Sequence, residues 1–455
     1  MSRTVAVIGG GWAGLAAAVQ ATRRGWHVTL YEASRHWGGR ARQVKAAQDD
    51  ATRLPLDNGQ HILIGAYTQT LHLMQSLDLP VETLFQAVPL DLRYPDGTGV
   101  STPSWARHWP APLDTLAAIV TARGWNGRDR LSFLKTAAGW QRAGFACPAT
   151  TSVQDLCTSM TARVMEDLVE PLCVAALNTP AARASGQVFL KVLQDALLGQ
   201  GFGSWRSAQL LLPRQHLGAL LPEAAIRFLH SRGADIREGQ RVRHLSACGD
   251  GWQVEAPEGV QTTDAVILAC PASEAARLLT DVPDAPEAWR QQAMQLTHEP
   301  IATVYVAGTL SKPWPSAHGM VALRNGASAP AQYAFHRSLL LGSVAQPNTA
   351  EPDVVELALV ASACHLERQA LETAALAQAR QQLGLEAPRW VQTVVEKRAT
   401  FACTPGLSRP AQVIRPHLLV AGDYVEGPYP ATLEGAVRSG LQAADRLIPA
   451  STSVS

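Results

Sequence analysis

A glycine-rich turn near the N-terminus lies between a predicted strand and a predicted helix, and this order constrains the fold more than any other feature of the chain. The first strand is the apolar run at residues 4–8, the alanine-rich helix spans 15–24, and a second strand follows at 27–31. Three glycines form the pattern GxGxxG in the turn: Gly9, Gly11 and Gly14. A glycine pattern in this context predicts a βαβ unit that binds a dinucleotide within an α/β fold.

Pyrophosphate binding gives each residue of this turn a role. Gly9 permits the tight turn, Gly11 lets the backbone approach a pyrophosphate, and Gly14 lets the helix pack closely on the strand. Trp12 and Ala13 belong to the same turn and are predicted cofactor contacts, and the helix N-terminus that follows would direct unpaired N–H groups at the phosphates.

An acidic residue, Glu32, ends the second predicted strand and is followed by Ala33. A carboxylate at this place accepts hydrogen bonds from the adenosine ribose and repels a 2′-phosphate, which favours FAD or NAD over NADP. A second glycine pair with a cation follows: Gly38, Gly39 and Arg40. This pair resembles a segment of flavoproteins of the amine oxidase and carotenoid desaturase group, and NAD dehydrogenases do not usually contain it. The cofactor is therefore predicted to be FAD.

Residues 420–423 and 430–440 resemble the closing element of the same superfamily. The resemblance implies that Asp423, beside Gly422, bonds the ribityl chain of the flavin. It also implies a helix after Thr432 whose N-terminus faces the flavin pyrimidine edge and stabilises the negative charge of a reduced flavin. Three further cofactor contacts are predicted, two on this helix and one through the backbone of an earlier strand at the adenine edge: Leu433, Ala436 and Val242.

Charge and cysteine usage exclude several classes of protein. The 455 residues include 39 basic and 38 acidic side chains, 17% of the sequence, while 47% is hydrophobic. A net charge near zero offers no general attraction for a polyanion, so no nucleic-acid partner is expected. The seven cysteines lack CxxC spacing, which indicates a reducing compartment without a disulfide framework or a metal site. Neither a signal peptide nor a membrane-spanning run is expected.

The order of elements predicts a Rossmann-type FAD-binding domain interleaved with an α+β substrate domain. Residues 1–89, 204–285 and 411–455 have α/β character and are assigned to the discontinuous FAD-binding domain. Residues 90–203, which read as helical and unusually apolar, and residues 286–410, with strand-like runs and one long helix, are assigned to the substrate-binding domain.

Two segments narrow the resemblance. Residues 56–67, which contain Asp57-Asn58-Gly59-Gln60-His61, and residues 170–180 are similar to bacterial hydroxysqualene dehydroxylases, also called squalene-associated FAD-dependent desaturases. Members of that family act in hopanoid synthesis and remove the hydroxyl of hydroxysqualene to give squalene, with reduced FAD as the electron source. The resemblance implies a long-chain isoprenoid substrate and a bacterial cytoplasmic enzyme that contacts the inner membrane peripherally. Residues 424–429 depart from the family pattern.

The reaction that the resemblance implies needs an acid, because the hydroxyl must leave as water. The candidates are Asp57 and His61, with Glu170 and Asp195 in reserve. Asp57 and His61 could instead position the flavin or cap the turn at Gly59. A dry pocket with aromatic faces would protect and stabilise an allylic cation. An exposed apolar patch is expected where the isoprenoid enters.

Two other functions share these motifs. One is oxidative desaturation of phytoene or a related carotenoid precursor, which uses the same fold and FAD but moves electrons in the opposite direction. The other is a flavin-binding partner without turnover. The chain contains no separate NAD(P) motif, so the electron donor for the flavin is not identified by the sequence.

Overall fold

The computed structural model describes residues 3–45, 53–109, 112–342 and 354–447. Its strands, numbered in chain order, are β1 Thr4–Ile8, β2 His27–Glu32, β3 Gln43–Val44, β4 Leu56–Asp57, β5 Leu63–Ile64, β6 Phe85–Val88, β7 Asp91–Arg93, β8 Gly99–Ser101, β9 Leu210–Pro213, β10 Asp235–Glu238, β11 His244–Cys248, β12 Gly251–Ala256, β13 Gly259–Thr263, β14 Ala265–Leu268, β15 His298–Leu310, β16 Met320–Ala322, β17 Tyr333–His336, β18 Val355–Ser362, β19 Leu385–Phe401, β20 Val413–Arg415 and β21 Leu418–Val420.

The helices, also numbered in chain order, are α1 Trp12–Arg23, α2 Thr68–Gln75, α3 Val81–Leu84, α4 Leu113–Val120, α5 Gly127–Arg142, α6 Val153–Leu156, α7 Ala162–Val164, α8 Glu170–Leu177, α9 Gly186–Leu198, α10 Leu217–Leu220, α11 Pro222–Ser231, α12 Ala272–Leu278, α13 Glu287–Gln295, α14 Arg337–Leu341, α15 Arg368–Leu383 and α16 Leu433–Asp445. A 3₁₀ turn spans Ser104–Ala106, and a π-helical turn at Met165–Val169 joins α7 to α8. Within the described ranges, no helix is both long and apolar enough to cross a bilayer.

A six-stranded sheet in the order β10-β2-β1-β14-β21-β20 forms the α/β part of the molecule. The first five strands are parallel, and β20 runs antiparallel to β21. The central strands are apolar and almost fully buried, as expected where both faces of a parallel sheet are covered. Helix α1 packs against α16, and the two backbones approach so closely that a Cβ on Gly440 would lie 2.1 Å from the Ala13 carbonyl oxygen. The predicted βαβ opening is present.

A five-stranded sheet in the order β16-β17-β18-β15-β19 is antiparallel, and its two faces have different partners. Alternate residues of β15, such as Ala302 and Val304, pack with Leu371 and Ala375 of α15 in one apolar cluster. Because side chains alternate along a strand, the residues between them face the other side, where Tyr305 belongs to a separate cluster. Helix α8 lies against this second face of the sheet, and together they border a cavity that is described below.

The structure adds strands that the sequence patterns did not indicate. Residues 90–203 were expected to be mainly helical, and no strand was predicted there, but β7 and β8 form a hairpin whose turn is set by Gly97 at φ +80° and by Thr98 N–H donating to Asp96. Strand β13 completes a three-stranded antiparallel sheet with β11 and β12. Its alternation of polar and small residues gave no apolar pattern. The long predicted helix begins at Arg368 rather than at residue 364.

Candidate cofactor and active site

A cavity of about 640 Å³ lies at the carboxyl ends of the parallel strands. Open α/β sheets bind ligands at this edge, and the volume is within the range of cofactor sites. Residues at or just beyond the ends of four strands line the cavity: Ile8, Gly9, Glu32, Ala269 and Gly422. The cavity also reaches α8 and the inner face of the five-stranded sheet, so it joins the two predicted domains.

The glycines of the turn divide into two kinds. A Cβ on Gly14 would lie 1.8 Å from the Gly9 carbonyl oxygen, and a Cβ on Gly9, whose φ is +119°, would lie 2.5 Å from the Ala269 carbonyl oxygen. Both positions are therefore closed by the protein's own backbone. A Cβ on Gly11 would meet nothing closer than the Cα of Gly39, at 3.8 Å. Gly11 lines the cavity, so the space above it is available to a ligand.

Glu32 lines the cavity at the end of β2, with Ala33 beside it. One carboxylate oxygen accepts the Gly10 N–H at 2.7 Å and the other accepts the Ser34 N–H at 2.8 Å. These two bonds fix the orientation of the carboxylate. Each oxygen has a further lone pair, so both can still accept a ribose hydroxyl.

Arg40 and Asp423, two predicted cofactor residues, form an ion pair of 2.5 Å between Nη2 and Oδ1. Arg40 Nη1 also donates to the Ala399 carbonyl at 2.8 Å. Burial lowers the pKa of the Arg40 guanidinium, but attraction to Asp423 and the hydrogen bond between them outweigh it, so the pKa is raised and the cation is retained. The pair joins the N-terminal and C-terminal motifs across the cavity wall.

Helix α16 begins at the cavity with a side-chain cap. Thr432 Oγ1 accepts the Gly435 N–H at 3.0 Å, and Leu433 and Ala436 of the first turn line the cavity with it. The positive end of the helix dipole is therefore directed at the space where a ligand would lie. Val242 lines the cavity together with Gln240 and Arg241. It was predicted to lie in a strand, but it lies in the loop between β10 and β11, where its carbonyl accepts a hydrogen bond from Arg277 Nη2 at 3.0 Å.

In the segment from Asp57 to His61, which resembles the hydroxysqualene dehydroxylases, some residues border the cavity and one is directed into the protein interior. Asn58, Gly59, Gln60 and His61 line the cavity, whereas Asp57 is absent from the described residues that line it. Asp57 accepts the Leu217 N–H at 2.9 Å through Oδ1 and the Tyr305 hydroxyl at 2.9 Å through its carbonyl. The Asp57 carboxylate therefore positions the start of α10.

Burial changes the acid strength of both candidate acids. It raises the pKa of Asp57 to about 7, against the Leu217 hydrogen bond and the charge of Arg337, which lower it. His61 Nδ1 is 2.8 Å from the Gly59 carbonyl oxygen. Burial lowers the pKa of His61, the Gly59 hydrogen bond raises it, and the charge of Arg40 lowers it further.

The two reserve acids have structural partners. Glu170 accepts the Ala181 N–H at 3.0 Å, and burial raises its pKa. Asp195 pairs with Lys191 at 2.7 Å. Among the described residues, neither carboxylate lines the cavity.

The side of the cavity away from the cofactor motifs is apolar. Strand β17 places Tyr333 and Phe335 on one face, because they are two residues apart. We call this surface the apolar wall, and it consists of Val174, Ile301, Tyr333, Phe335 and Val360. The Tyr333 hydroxyl donates to the Pro171 carbonyl at 3.1 Å, which fixes the ring against the start of α8.

Sequence reasoning missed several of the polar residues that line the cavity. Asn178, in the left-handed conformation after α8, donates to Thr400 Oγ1 at 2.9 Å. Asn58 Nδ2 donates to Glu396 Oε2 at 2.9 Å and to the Arg40 carbonyl at 3.1 Å. Their partners Thr400 and Glu396 lie on β19, more than 200 residues away in the sequence, so no local spacing indicates these contacts. Alternation of aromatic residues at 333 and 335 was the one pattern that could have indicated the wall.

The residues present fit a flavin dinucleotide. The cavity offers a pyrophosphate space above Gly11, a ribose acceptor at Glu32 and a helix N-terminus at Thr432 for an electron-rich ring. Within the described residues, no three His, Cys, Asp or Glu side chains converge to hold a metal ion.

Comparison with known proteins agrees with this geometry. The family model described as flavin containing amine oxidoreductase matches residues 12–448. The hydroxysqualene dehydroxylase of Rhodopseudomonas palustris (strain ATCC BAA-98 / CGA009) is 31% identical over 99% of both chains. That of Sinorhizobium fredii (strain NBRC 101917 / NGR234) is 28% identical over 98% of both. The crystal structure of a putative protoporphyrinogen oxidase from Exiguobacterium sp. 255-15 covers 98% of both chains with a TM-score of 0.67 at 17% identity, which shows a shared fold.

These similarities confirm the predicted resemblance to hydroxysqualene dehydroxylases over nearly the full chain, the α/β class with an FAD-binding fold, and the cofactor. The chain belongs to the flavin containing amine oxidoreductase family, and it is an FAD-dependent oxidoreductase.

Proposed function

We propose that this protein removes the hydroxyl of hydroxysqualene to give squalene. The observation that carries the proposal is the similarity to hydroxysqualene dehydroxylases over 98–99% of this chain and of theirs. The apolar wall supports it, because a long isoprenoid needs an apolar surface beside the cofactor residues.

The proposed reaction breaks a C–O bond and forms a C–H bond. The hydroxyl takes one proton and leaves as water, and the allylic carbon then takes one further proton together with two electrons. FAD, when bound in its reduced state, supplies these as a hydride. The chain must therefore hold the substrate, supply a proton and keep water from the cation.

The apolar wall is proposed to meet the last requirement. Tyr333 and Phe335 are 6% and 2% exposed, so their rings present a surface that excludes water. Aromatic faces attract cations through their quadrupole, more strongly where water is absent. The Tyr333 hydroxyl is already bonded to Pro171, so this residue contributes its ring face rather than a proton.

His61 is the proposed proton donor. It lines the cavity, while the Asp57 carboxylate is engaged by the backbone of α10. With Nδ1 held by the Gly59 carbonyl, Nε2 of the protonated ring is the atom that can donate. Asp57 is proposed as a positioning residue that holds the segment from Asn58 to His61 in place.

Anaerobic turnover tests the proposal. Photoreduced holoprotein is mixed with hydroxysqualene, and the product and flavin absorbance are followed. Squalene formed together with flavin reoxidation is expected, and an unchanged reduced spectrum with no squalene would overturn the proposal. A coloured polyene formed from phytoene under oxidising conditions would instead identify a carotenoid desaturase.

We also propose that the protein acts in the bacterial cytoplasm and contacts the inner membrane peripherally. Its proposed substrate and product are long hydrocarbons, which partition into the acyl region of a bilayer. A protein that exchanges such molecules gains direct access by resting on the membrane. The reductant of the flavin is a separate partner, which reconstitution with candidate donors would identify.

A further inference from the structure

Exposed apolar side chains concentrate in one short segment. Among the described residues, twelve large apolar side chains are exposed, and five of them lie between residues 105 and 120. We call this surface the α4 face: Trp105, Trp109, Leu113, Leu116 and Val120. Their exposed fractions range from 43% to 57%. Isolated exposed apolar residues are ordinary, but a contiguous group of this size marks an interaction site.

The α4 face follows the geometry of an amphipathic helix. Leu113, Leu116 and Val120 are spaced at i, i+3 and i+7, which places them on one side of α4. The opposite side is buried in the protein at Ala118, and Ala117 and Ile119 are buried on the two flanks between these sides.

The two tryptophans lie close to α4, because the 3₁₀ turn that contains Trp105 packs against this helix. Their rings contact edge to face, with centroids 5.0 Å apart. Arg206 connects them to the helix, because its Nη1 donates to the Trp109 carbonyl at 2.5 Å and to Asp114 Oδ2 at 3.1 Å. Arg206 therefore ties the backbone at Trp109 to the first turn of α4.

The charges around the α4 face are basic. Arg107 lies between the two tryptophans in the sequence and Arg123 follows Val120 by three positions; both are exposed, as is Arg128 at the start of α5. Asp114 is the one acidic residue in the sequence from 104 to 128, and it is paired with Arg206. A positive rim around an apolar centre with tryptophan is complementary to a bilayer of anionic phospholipids, whose headgroups attract arginine and whose interface favours tryptophan.

We infer that the α4 face docks on an anionic phospholipid bilayer, with α4 parallel to the membrane surface. Leu113, Leu116 and Val120 would enter the boundary between headgroups and acyl chains, and the tryptophans would lie at headgroup level. The inference rests on the proposed function for its purpose, which is access to a membrane-dissolved isoprenoid. The binding itself does not depend on turnover.

Vesicle flotation of the holoprotein tests the inference. Vesicles of phosphatidylethanolamine with phosphatidylglycerol are compared with vesicles of phosphatidylcholine alone. The double variant Trp105→Ser/Trp109→Ser and the single variant Leu116→Glu are each expected to lower the fraction bound to anionic vesicles by about tenfold. The control variant Val260→Ser/Met294→Ser removes two apolar side chains elsewhere that are more exposed, at 61% and 63%, and it is expected to bind as the wild type does.

The arginines give an independent measurement. Arg107→Gln/Arg123→Gln should weaken binding to anionic vesicles and reduce its dependence on salt, because exposed charges are screened by ions. Binding of Trp105→Ser/Trp109→Ser equal to that of the wild type would overturn the inference. A second result would also overturn the inference: the wild type is a dimer that does not bind vesicles, and these substitutions dissociate it. The partner of the α4 face would then be a second copy of the chain.

Turnover of detergent-solubilised hydroxysqualene separates the two proposals. Turnover without vesicle binding would reject membrane docking by the α4 face but not the proposed function. Vesicle binding without squalene formation would reject the proposed function and leave the membrane surface in place.

Discussion

The cofactor residues and the apolar wall line one cavity, but the chain supplies them in different ways. Gly9, Gly11 and Glu32 come from one βαβ unit, and their positions follow from the turn between adjacent elements. The apolar wall takes Val174 from α8 and its other members from three strands of the antiparallel sheet. Local geometry therefore encodes the cofactor end, whereas long-range pairing assembles the wall. Substitutions at the two ends should fail in different ways.

The largest effect is expected from Gly14→Ala. The added Cβ would lie 1.8 Å from the Gly9 carbonyl oxygen, so α1 would have to move from the turn. We expect the free energy of unfolding to fall by about 4 kcal/mol or more, whether or not FAD is added. Urea unfolding with and without excess FAD measures this loss.

Gly11→Ala is the matched control, since its Cβ has no neighbour closer than 3.8 Å. This variant should unfold within about 1 kcal/mol of the wild type without FAD but gain little stability when FAD is added. If both variants lost the same free energy of unfolding and responded alike to FAD, Gly14 would not be specific to helix packing, nor Gly11 to FAD binding.

Asp57 should produce a pH dependence of stability. Its pKa is raised to about 7 by burial, above the value of about 3.9 in an unfolded chain. The native state therefore binds an extra proton between these values, and the free energy of unfolding falls as pH rises from about 4 through 7. The difference amounts to at most about 4 kcal/mol. Asp57→Asn should flatten this part of the profile in urea unfolding between pH 5 and 8, because the amide oxygen still accepts the Leu217 N–H.

Retention of the wild-type profile in Asp57→Asn would assign the pH dependence to another group. If Asp57→Asn instead lost turnover with normal stability and flavin content, Asp57 would be the acid.

His61→Gln should lower turnover by at least about 100-fold, the contribution of a positioned acid. The bound-flavin spectrum should remain normal, because glutamine can still donate to the Gly59 carbonyl. Burial holds the pKa of His61 below its usual value. Because only the protonated ring can donate, wild-type turnover should rise as the pH falls towards this lowered pKa. Stopped-flow measurement of flavin reoxidation across pH provides both results. Loss of bound FAD in His61→Gln would assign this residue to cofactor positioning.

The smallest effects are expected at the apolar wall. Tyr333→Leu and Phe335→Leu keep an apolar surface but remove the ring faces, and each should lower turnover by about tenfold, in line with a cation–π contribution of 1–2 kcal/mol. FAD content should not change. Tyr333→Phe keeps the ring and removes the hydroxyl bond to Pro171, so it should retain most of the turnover. If Tyr333→Phe lost as much turnover as Tyr333→Leu, the hydroxyl bond that positions the ring, rather than the ring face itself, would account for the effect.

Local patterns predicted the first strand, α1, the second strand and the final helix because each of these elements has its own periodicity and boundary residues. The same patterns missed β13, an edge strand that pairs with β12 and whose side chains are mostly polar. The local patterns also could not indicate that Asn58 lines the cavity whereas Asp57 does not. These neighbours face opposite sides of the chain, and only tertiary pairing decides which side borders the cavity.

The assignment of residues 1–89, 204–285 and 411–455 to one domain remains a prediction. The order of the six-stranded sheet is compatible with it, since β1, β14 and β21 come from these three segments. Contacts between the predicted domains, such as Arg40 with Ala399, could not be inferred from spacing, because they join residues more than 350 positions apart.

The place of β14 between β1 and β21 has a consequence for biosynthesis. The ribosome completes the βαβ unit early, but β14 follows more than 200 residues later and β21 later still. Until then the emerging sheet has an unpaired edge, and neither Asp423 nor the α16 N-terminus is available to the cavity. Pairing over such sequence separations is slow and leaves apolar strands open to aggregation. Flavin loading is therefore a late event that follows synthesis of the C-terminal motif, and cofactor supply during expression should influence the yield of folded protein.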